Sequence, residues 1–156
     1  VQFLFQQEAN PAEDLDAALE QFWISQREAA LADDKAPSTW GERKELPPPT
    51  AEQAAERLFA EPLIRGTLEH RDAIDTILQK YLKNWDLHRV AAVDRNVMRL
   101  AIYEMLHRDD IPPVVSINEA VDIAKKFSTQ DSGKFVNGVL DKIRADLLRP
   151  ARLANE

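Results

Sequence analysis

The stretch LHRVAAVDRNVMRLAIYEML, residues 87–106, has the most regular helical pattern in the chain. Its apolar side chains recur every three to four residues, which places them on one face of an α-helix. The apolar positions are Leu87, Val90, Ala91, Val97, Met98, Ala101, Met105 and Leu106. Small side chains at Ala91 and Ala101 let a neighbouring helix approach closely. The sequence therefore predicts that this segment is the central and most buried helix of the fold.

The residues on either side of this helix continue the helical pattern. Upstream, the spacing of apolar residues predicts one long helix over residues 63–82. Downstream, Pro112 and Pro113 end the central helix, and Ser116 with Glu119 is interpreted as a capping box that opens the next one. Residues 128–133 are polar and predict a break. A last helix then carries apolar residues from Phe135 onward, with Gly138 expected on its packed side.

The N-terminal part is less regular. Val1–Gln7 is interpreted as part of a helix rather than a signal peptide, with the natural N-terminus upstream. A second helix is predicted at about 12–32, and the proline-rich residues 33–49 are predicted to be an exposed, partly mobile loop. Thr50 and Gln53 form a predicted capping box for a short helix over 51–60, which Pro62 ends.

No segment alternates with a period of two, so strands are not predicted. The expected fold class is all-α: a compact bundle of about six to seven helices in two halves, about 1–61 and 62–150. Both halves are assigned to a single domain, residues 1–156.

Composition excludes several classes of function. The sequence contains no cysteine, which excludes disulfides, thiolate metal sites and cysteine nucleophiles. No apolar run approaches the length of a membrane span, so a cytoplasmic protein without a membrane partner is expected. His70, His88 and His107 lack the spacing of a helical metal pair, and there is no glycine-rich phosphate loop or nucleophile elbow. We therefore expect no catalytic residues, no metal and no cofactor.

The net charge of −7 is unevenly distributed. Residues 1–61 contain 13 acidic and 5 basic side chains, whereas residues 62–156 contain 14 acidic and 15 basic ones. Residues 125–152 contain 7 Lys or Arg and 3 Asp. A modest basic patch there is one interpretation, and a solvated face of two ordinary helices is the other.

The segment SINEAVDIAKKFSTQDSGKFVNGVLDKI, residues 116–143, combines a polar loop with Lys134 and Phe135 at the start of a helix. Backbone amides, hydroxyls, a lysine and an aromatic ring together are able to bind a phosphate and stack on a base of single-stranded RNA. The alternative is that Phe135 is a core residue and that Asp131 or Ser132 only caps the helix.

Three blocks of the sequence resemble the NusB family of bacterial antitermination proteins. They are LKNWDLHRVAAVDRNVMRLAIYEML (82–106), DDIPPVVSINEAVDIAKKF (109–127) and DSGKFVNGVLDKI (131–143). The resemblance implies a fold of two helical halves. It also implies a non-enzymatic factor that pairs with the ribosomal protein NusE, binds boxA-type single-stranded RNA and acts in the RNA polymerase antitermination complex on ribosomal RNA. Self-association as a homodimer occurs in some relatives and is left open.

The resemblance also implies site residues. Positions similar to the RNA face of the family are Tyr81, Arg99, Lys125, Ser128, Asp131, Lys134 and Phe135. Positions similar to the NusE-facing surface are Phe5, Asp94 and Met98. Apolar periodicity predicts that the Asp94 carboxylate is free to meet a basic side chain of the partner. Two departures from the family are that its arginine-rich arm is not found in this sequence, and that Phe5 stands where many members have tyrosine.

Two other functions are weighed. A NusB-like domain also precedes a ribosomal RNA methyltransferase, so a role in RNA modification or ribosome assembly is one alternative. No methyl-donor-binding domain follows residue 153, which favours the free-standing factor. A protein-interaction domain without an RNA role is the other alternative, and the acidic net charge supports it.

Overall fold

The computed structural model describes residues 1–33, 47–82 and 85–148, and these form seven α-helices and one 3₁₀ turn with no strand among them. The helices are α1 (Gln2–Ala9), α2 (Leu15–Asp33), α3 (Ala51–Glu69), α4 (Arg71–Tyr81), α5 (Ala92–His107), α6 (Pro113–Phe127) and α7 (Gln130–Leu148). The 3₁₀ turn is Leu87–Arg89. The predicted all-α class is confirmed. Most of the predicted 33–49 loop lies outside the described residues.

The chain divides into two compact units. One comprises Val1–Phe5 and the chain from Leu63 onward, and the other comprises Gln6–Pro62. In the larger unit, α5 packs against α4, α6 and α7. Fully buried side chains from α4, α5 and α7 form its centre: Ile74, Leu78, Met98, Ile102, Val136, Leu140 and Ile143. The prediction that the segment around α5 is the central helix is therefore confirmed.

The central helix begins later than its apolar pattern predicted. Leu87–Arg89 forms a 3₁₀ turn, and Val90 and Ala91 are extended before α5 starts at Ala92. The side chain of Asp86 accepts a hydrogen bond from the backbone N–H of His88 at 3.1 Å. Such a local bond offers the backbone an alternative to helical pairing, so the segment turns before the helix begins.

The predicted helix break at Pro62 is wrong, because α3 continues through this proline to Glu69. The break lies instead at His70, between α3 and α4. An internal proline removes one helical hydrogen bond and costs about 3 kcal/mol.

The predicted capping box is present at the start of α3. The Thr50 N–H donates to Gln53 Oε1 at 3.0 Å and the Gln53 N–H donates to Thr50 Oγ1 at 3.1 Å.

The starts of α6 and α7 also differ from prediction. Pro113 is the first residue of α6, where its missing N–H costs nothing, and Ser116 is buried inside the helix instead of capping it. A polar break was predicted at residues 128–133, but most of this segment forms the first turn of α7, which starts at Gln130. Gly138 is exposed, and a Cβ atom added to it would meet no other part of the protein within 4 Å, so its predicted packing role is wrong.

The smaller unit contains α2 and the first part of α3. Asp14 caps α2 by accepting from the Ala17 N–H at 3.1 Å. Arg57 pairs with Glu20 and with Glu61, each at 2.8 Å, and the Trp23 indole N–H donates to Glu61 at 3.0 Å. Polar bonds thus connect the two helices. None of the helices in the described parts of the chain has the length and apolarity needed to span a membrane.

Candidate nucleic-acid interface

A pocket of about 300 Å³ lies in the larger unit, between the 3₁₀ turn, the start of α5 and the start of α7. It is lined by Trp85, Arg89, Val90, Ala91, Asp94, Thr129, Asp131, Ser132 and Phe135. We call it the Trp85–Phe135 pocket. It brings together residues that the sequence assigned to two surfaces, because Asp131 and Phe135 were predicted to face RNA and Asp94 was predicted to face NusE.

Two large aromatic side chains line this pocket without being buried. Trp85 is 59% exposed and Phe135 is 36% exposed. Large aromatic rings normally bury most of their surface, so two partly exposed rings at one pocket are typical of a binding surface. Phe135 is therefore not a fully buried core residue, which was the alternative left open by the sequence.

Asp94 lies at the inner side of the pocket. It stands in the first turn of α5 and is only 4% exposed, so the prediction that its carboxylate is free on the surface is wrong. Its Oδ1 atom is buried and has no hydrogen-bond partner. The apolar pattern missed this burial because part of the pocket wall comes from α7, which is distant in sequence. Asp94 remains a candidate binding residue from within the pocket.

The start of α7 forms the polar rim of the pocket. Thr129 Oγ1 accepts from the Ser132 N–H at 3.0 Å, and the Ser128 and Ser132 hydroxyls lie 2.8 Å apart. Lys125 at the end of α6 covers Gly133, where a Cβ atom would lie 2.6 Å from Lys125 Cγ. Lys125, Ser128 and Lys134 are all exposed. Their amines and hydroxyls are therefore available to phosphate beside the aromatic pocket.

Two of the residues predicted to face RNA, Tyr81 and Arg99, do not line the Trp85–Phe135 pocket. The Tyr81 hydroxyl donates to Asp146 at 2.5 Å, and this bond raises the pKa of Tyr81. Asp146 lies about 22 Å along α7 from Asp131, at 1.5 Å per helical residue. Tyr81 therefore contacts α7 far from the start of this helix, where the pocket lies. The side chain of Arg99 is 4% exposed and donates to both carboxylate oxygens of Asp75, at 2.7 and 2.9 Å. Arg99 joins α4 to α5 and does not line the pocket.

The predicted partner-facing residues are also separated. Phe5 on α1 is 42% exposed and accessible to a partner. Met98 is fully buried in the core of the larger unit, so it does not offer a surface in this structure. The prediction for Met98 missed that α5 is covered by α4, α6 and α7 together, which leaves few positions of this helix exposed.

His70 and His107, which are far apart in sequence, lie with their ring centroids 4.2 Å apart, and Tyr103 stacks on His107. The His70 Nδ1 atom lies 2.9 Å from the carbonyl of Gly66. Among the residues that the structure describes, no three His, Asp or Glu side chains are grouped to hold a metal ion.

Sequence reasoning missed two pocket residues, Trp85 and Arg89. Both lie between α4 and α5; the helical pattern had placed Arg89 in the central helix and had assigned Trp85 to no helix. One signal was present: a tryptophan within the polar run KNWD has no apolar neighbours in sequence to pack against.

Comparison with known proteins gives consistent matches. The model described as the NusB family matches residues 1–145. A transcription antitermination protein NusB of Methylacidiphilum infernorum is 41% identical over 151 residues, which are 97% of this chain and 89% of that protein. The protein of that name from Geobacter sulfurreducens is 53% identical over 94 residues, 60% of this chain and 68% of that protein.

Solved structures show the same likeness. T. maritima NusB is 38% identical, with a TM-score of 0.64 over 91% of this chain and 82% of that one. A chain in a crystal structure of the antitermination factors NusB and NusE with double-stranded RNA has a TM-score of 0.61, over 90% of this chain and 86% of that one. Its identity is 22%, so this second likeness supports the fold alone.

Proposed function

Because the chain belongs to the NusB family, we propose that it is a transcription antitermination factor that binds boxA-type single-stranded RNA together with NusE. It would support transcription of ribosomal RNA as part of the RNA polymerase antitermination complex. The observation that carries the proposal is the Trp85–Phe135 pocket, with its exposed rings, its hydroxyl rim and the neighbouring lysines. These are the groups that bind single-stranded RNA in other proteins.

The proposed mechanism is binding without catalysis. Lys125 and Lys134 neutralise phosphates, the start of α7 offers hydroxyls from Ser128 and its neighbours, and Phe135 stacks on a base. The exposed Phe5 supplies apolar area to NusE, and the acidic net charge of −7 suits a basic partner. We propose the cytoplasm as the site of action.

A direct test is RNA binding by fluorescence anisotropy, with labelled boxA-type RNA, the full-length protein, and NusE absent or present. We expect NusE to raise the affinity for boxA-type RNA more than the affinity for a scrambled RNA of equal length. Equal affinity for both RNAs, with or without NusE, contradicts the proposed function. A control with NusE alone separates its own RNA binding from that of the pair.

Lys134→Ala is expected to weaken RNA binding and to make its salt dependence less steep. Each phosphate contact to single-stranded RNA contributes about 0.7 to the slope of log K against log salt, so the slope should fall by about that amount. Lys142→Ala is the matched control, because Lys142 is also exposed on α7 but lies about 12 Å farther along it. An unchanged slope for Lys134→Ala removes this side chain from the phosphate contacts.

Phe135→Ala is expected to weaken RNA binding by about 1 to 3 kcal/mol without changing the salt slope, because stacking releases no counterions. The ring is partly exposed, so the free energy of unfolding should fall by only about 1 to 2 kcal/mol, less than for a buried phenylalanine. Both quantities are measured on the same preparation. A large loss of stability, with normal RNA affinity of the folded fraction, rejects the stacking role.

A further inference from the structure

We propose that a groove in the smaller unit, between α2 and the first part of α3, binds an amphipathic helix of a protein partner whose polar face is basic. The groove has a volume of about 570 Å³, and every residue that lines it belongs to the unit Gln6–Pro62. We call it the α2–α3 groove. The inference goes beyond the proposed function, because it assigns a second protein contact that uses none of the residues proposed to bind RNA or NusE.

The first step concerns the apolar surface of the groove. The lining residues with apolar side chains are Trp23, Ile24, Ala30, Pro49, Ala54 and Leu58. Leu58 is 78% exposed, the highest value for a large hydrophobic side chain among the residues that the structure describes. A single exposed leucine is ordinary, but one that borders a groove with other apolar side chains offers area for a partner to bury.

The second step concerns the charge around the groove. Residues 6–33 and 47–62, the described part of the smaller unit, contain ten acidic and two basic side chains. Both basic residues, Arg27 and Arg57, line the groove. Arg57 is already paired with Glu20 and with Glu61, each at 2.8 Å. The surface around the groove therefore attracts a cationic partner.

The third step concerns shape. The Trp23 indole N–H and the Arg57 guanidinium both donate to Glu61, and Arg57 also contacts Glu20 on α2. These bonds join the two helices beside the groove, so it is present before a partner binds. Its α2 wall extends from Glu20 to Ala30, about 15 Å at 1.5 Å per helical residue. This length matches about three turns of a helix, the element that binds apolar grooves through side chains at i, i+3, i+4 and i+7.

The same charge disfavours other occupants. Nucleic acid and anionic membranes are negatively charged, so the acidic unit repels both. A symmetric dimer formed through this groove would bring two acidic units together, which is also unfavourable. A basic amphipathic helix satisfies both requirements, because its apolar face fills the groove and its cationic face meets the surrounding carboxylates.

The test titrates the isotopically labelled full-length protein with a synthetic helical peptide of leucine and lysine, about five turns long, and follows it by NMR. The chain has three tryptophans, so three indole N–H signals are expected. The signal of Trp23, assigned from Trp23→Phe, should shift, while that of Trp85 should not. Two control peptides should bind about tenfold more weakly: one with the same composition in scrambled order, and one with glutamate in place of lysine.

Leu58→Ala is expected to weaken binding of the leucine–lysine peptide by about tenfold, because a partner in the groove buries this side chain. Phe59→Ala is the matched control. Phe59 is 57% exposed on the same helix but does not line the groove, so its loss should change affinity by less than about twofold. Thermal unfolding of both variants checks that they remain folded.

Glu56→Lys is expected to weaken binding of the same peptide by about threefold at low salt and less at high salt, because Glu56 is an exposed acid that lines the groove. Glu28→Lys changes an exposed acid of α2 that does not line the groove, so its effect should be smaller.

Four outcomes overturn the inference, and none of the measurements uses RNA, so the proposed function is tested separately. If the scrambled peptide binds as tightly as the helical one, the attraction is only a general effect of charge. If Leu58→Ala binds the peptide normally, the site is not the α2–α3 groove. If the protein self-associates in sedimentation and Leu58→Ala abolishes this, the occupant is a second copy. If the peptide binds only after residues 34–46 are replaced by a flexible linker, the occupant is the chain's own connection.

Discussion

Arg99→Met is expected to lower the free energy of unfolding by about 3 kcal/mol, because it removes the buried partner of an ion pair whose carboxylate is partly exposed. The Arg99 guanidinium donates to both oxygens of Asp75 and to Asn96 at 3.2 Å, and its side chain is 4% exposed. Methionine fills similar space without the charge, so the loss reflects the broken bonds to Asp75, which keeps only the longer contact with Arg71 at 3.8 Å. Denaturant unfolding followed by circular dichroism measures it.

Arg71→Met is the matched control for Arg99→Met. Arg71 approaches the same Asp75 at 3.8 Å, but its side chain is 38% exposed, so this pair contributes less than about 1 kcal/mol. RNA affinity, measured for the folded fraction of both variants, tests the family resemblance that places Arg99 on the RNA face. A stable Arg99→Met protein that has lost RNA affinity would make Arg99 an RNA contact. Because Arg99 is buried, we expect instead a less stable protein whose folded fraction keeps its RNA affinity.

Gly66→Ala is expected to destabilise the protein by about 3 kcal/mol although alanine is the better helix former. A Cβ atom at position 66 would lie 2.0 Å from Cζ of Tyr103, so α3 or the Tyr103 ring must move. Overpacking of this kind costs about 1 to 3 kcal/mol and sometimes more. We place the effect at the upper end because the obstructing group is a rigid ring. Thermal or denaturant unfolding provides the measurement.

Gly138→Ala provides a control of opposite sign. Gly138 lies inside α7 with no atom within 4 Å of an added Cβ, so alanine should stabilise the helix by about 1 kcal/mol. In a Tyr103→Ala background the cost of Gly66→Ala should largely disappear, because the clash is gone. Equal effects at positions 66 and 138 would falsify the assignment of Gly66 to a close helix contact.

Part of the site was predictable from the sequence, and part was not. The polar segment before Phe135, the neighbouring lysines and the resemblance to the NusB family indicated Lys125, Ser128, Asp131, Lys134 and Phe135, which the structure places at the end of α6 and the start of α7. Trp85 and Arg89 were not predicted. They line the same pocket as the start of α7, although Trp85 and Phe135 are fifty positions apart in the sequence.

Periodicity by itself determined that the chain is helical, where its central helix lies and that Thr50 caps a helix, because these properties depend on neighbours within one or two turns. Tertiary structure decided which faces of those helices are covered. Asp94, Met98 and Arg99 lie within two turns of α5, yet one lines a pocket, one is buried in the core and one pairs with Asp75. Their environments differ because α4, α6 and α7 pack against different sides of α5. Burial is set by distant segments, which local patterns do not encode.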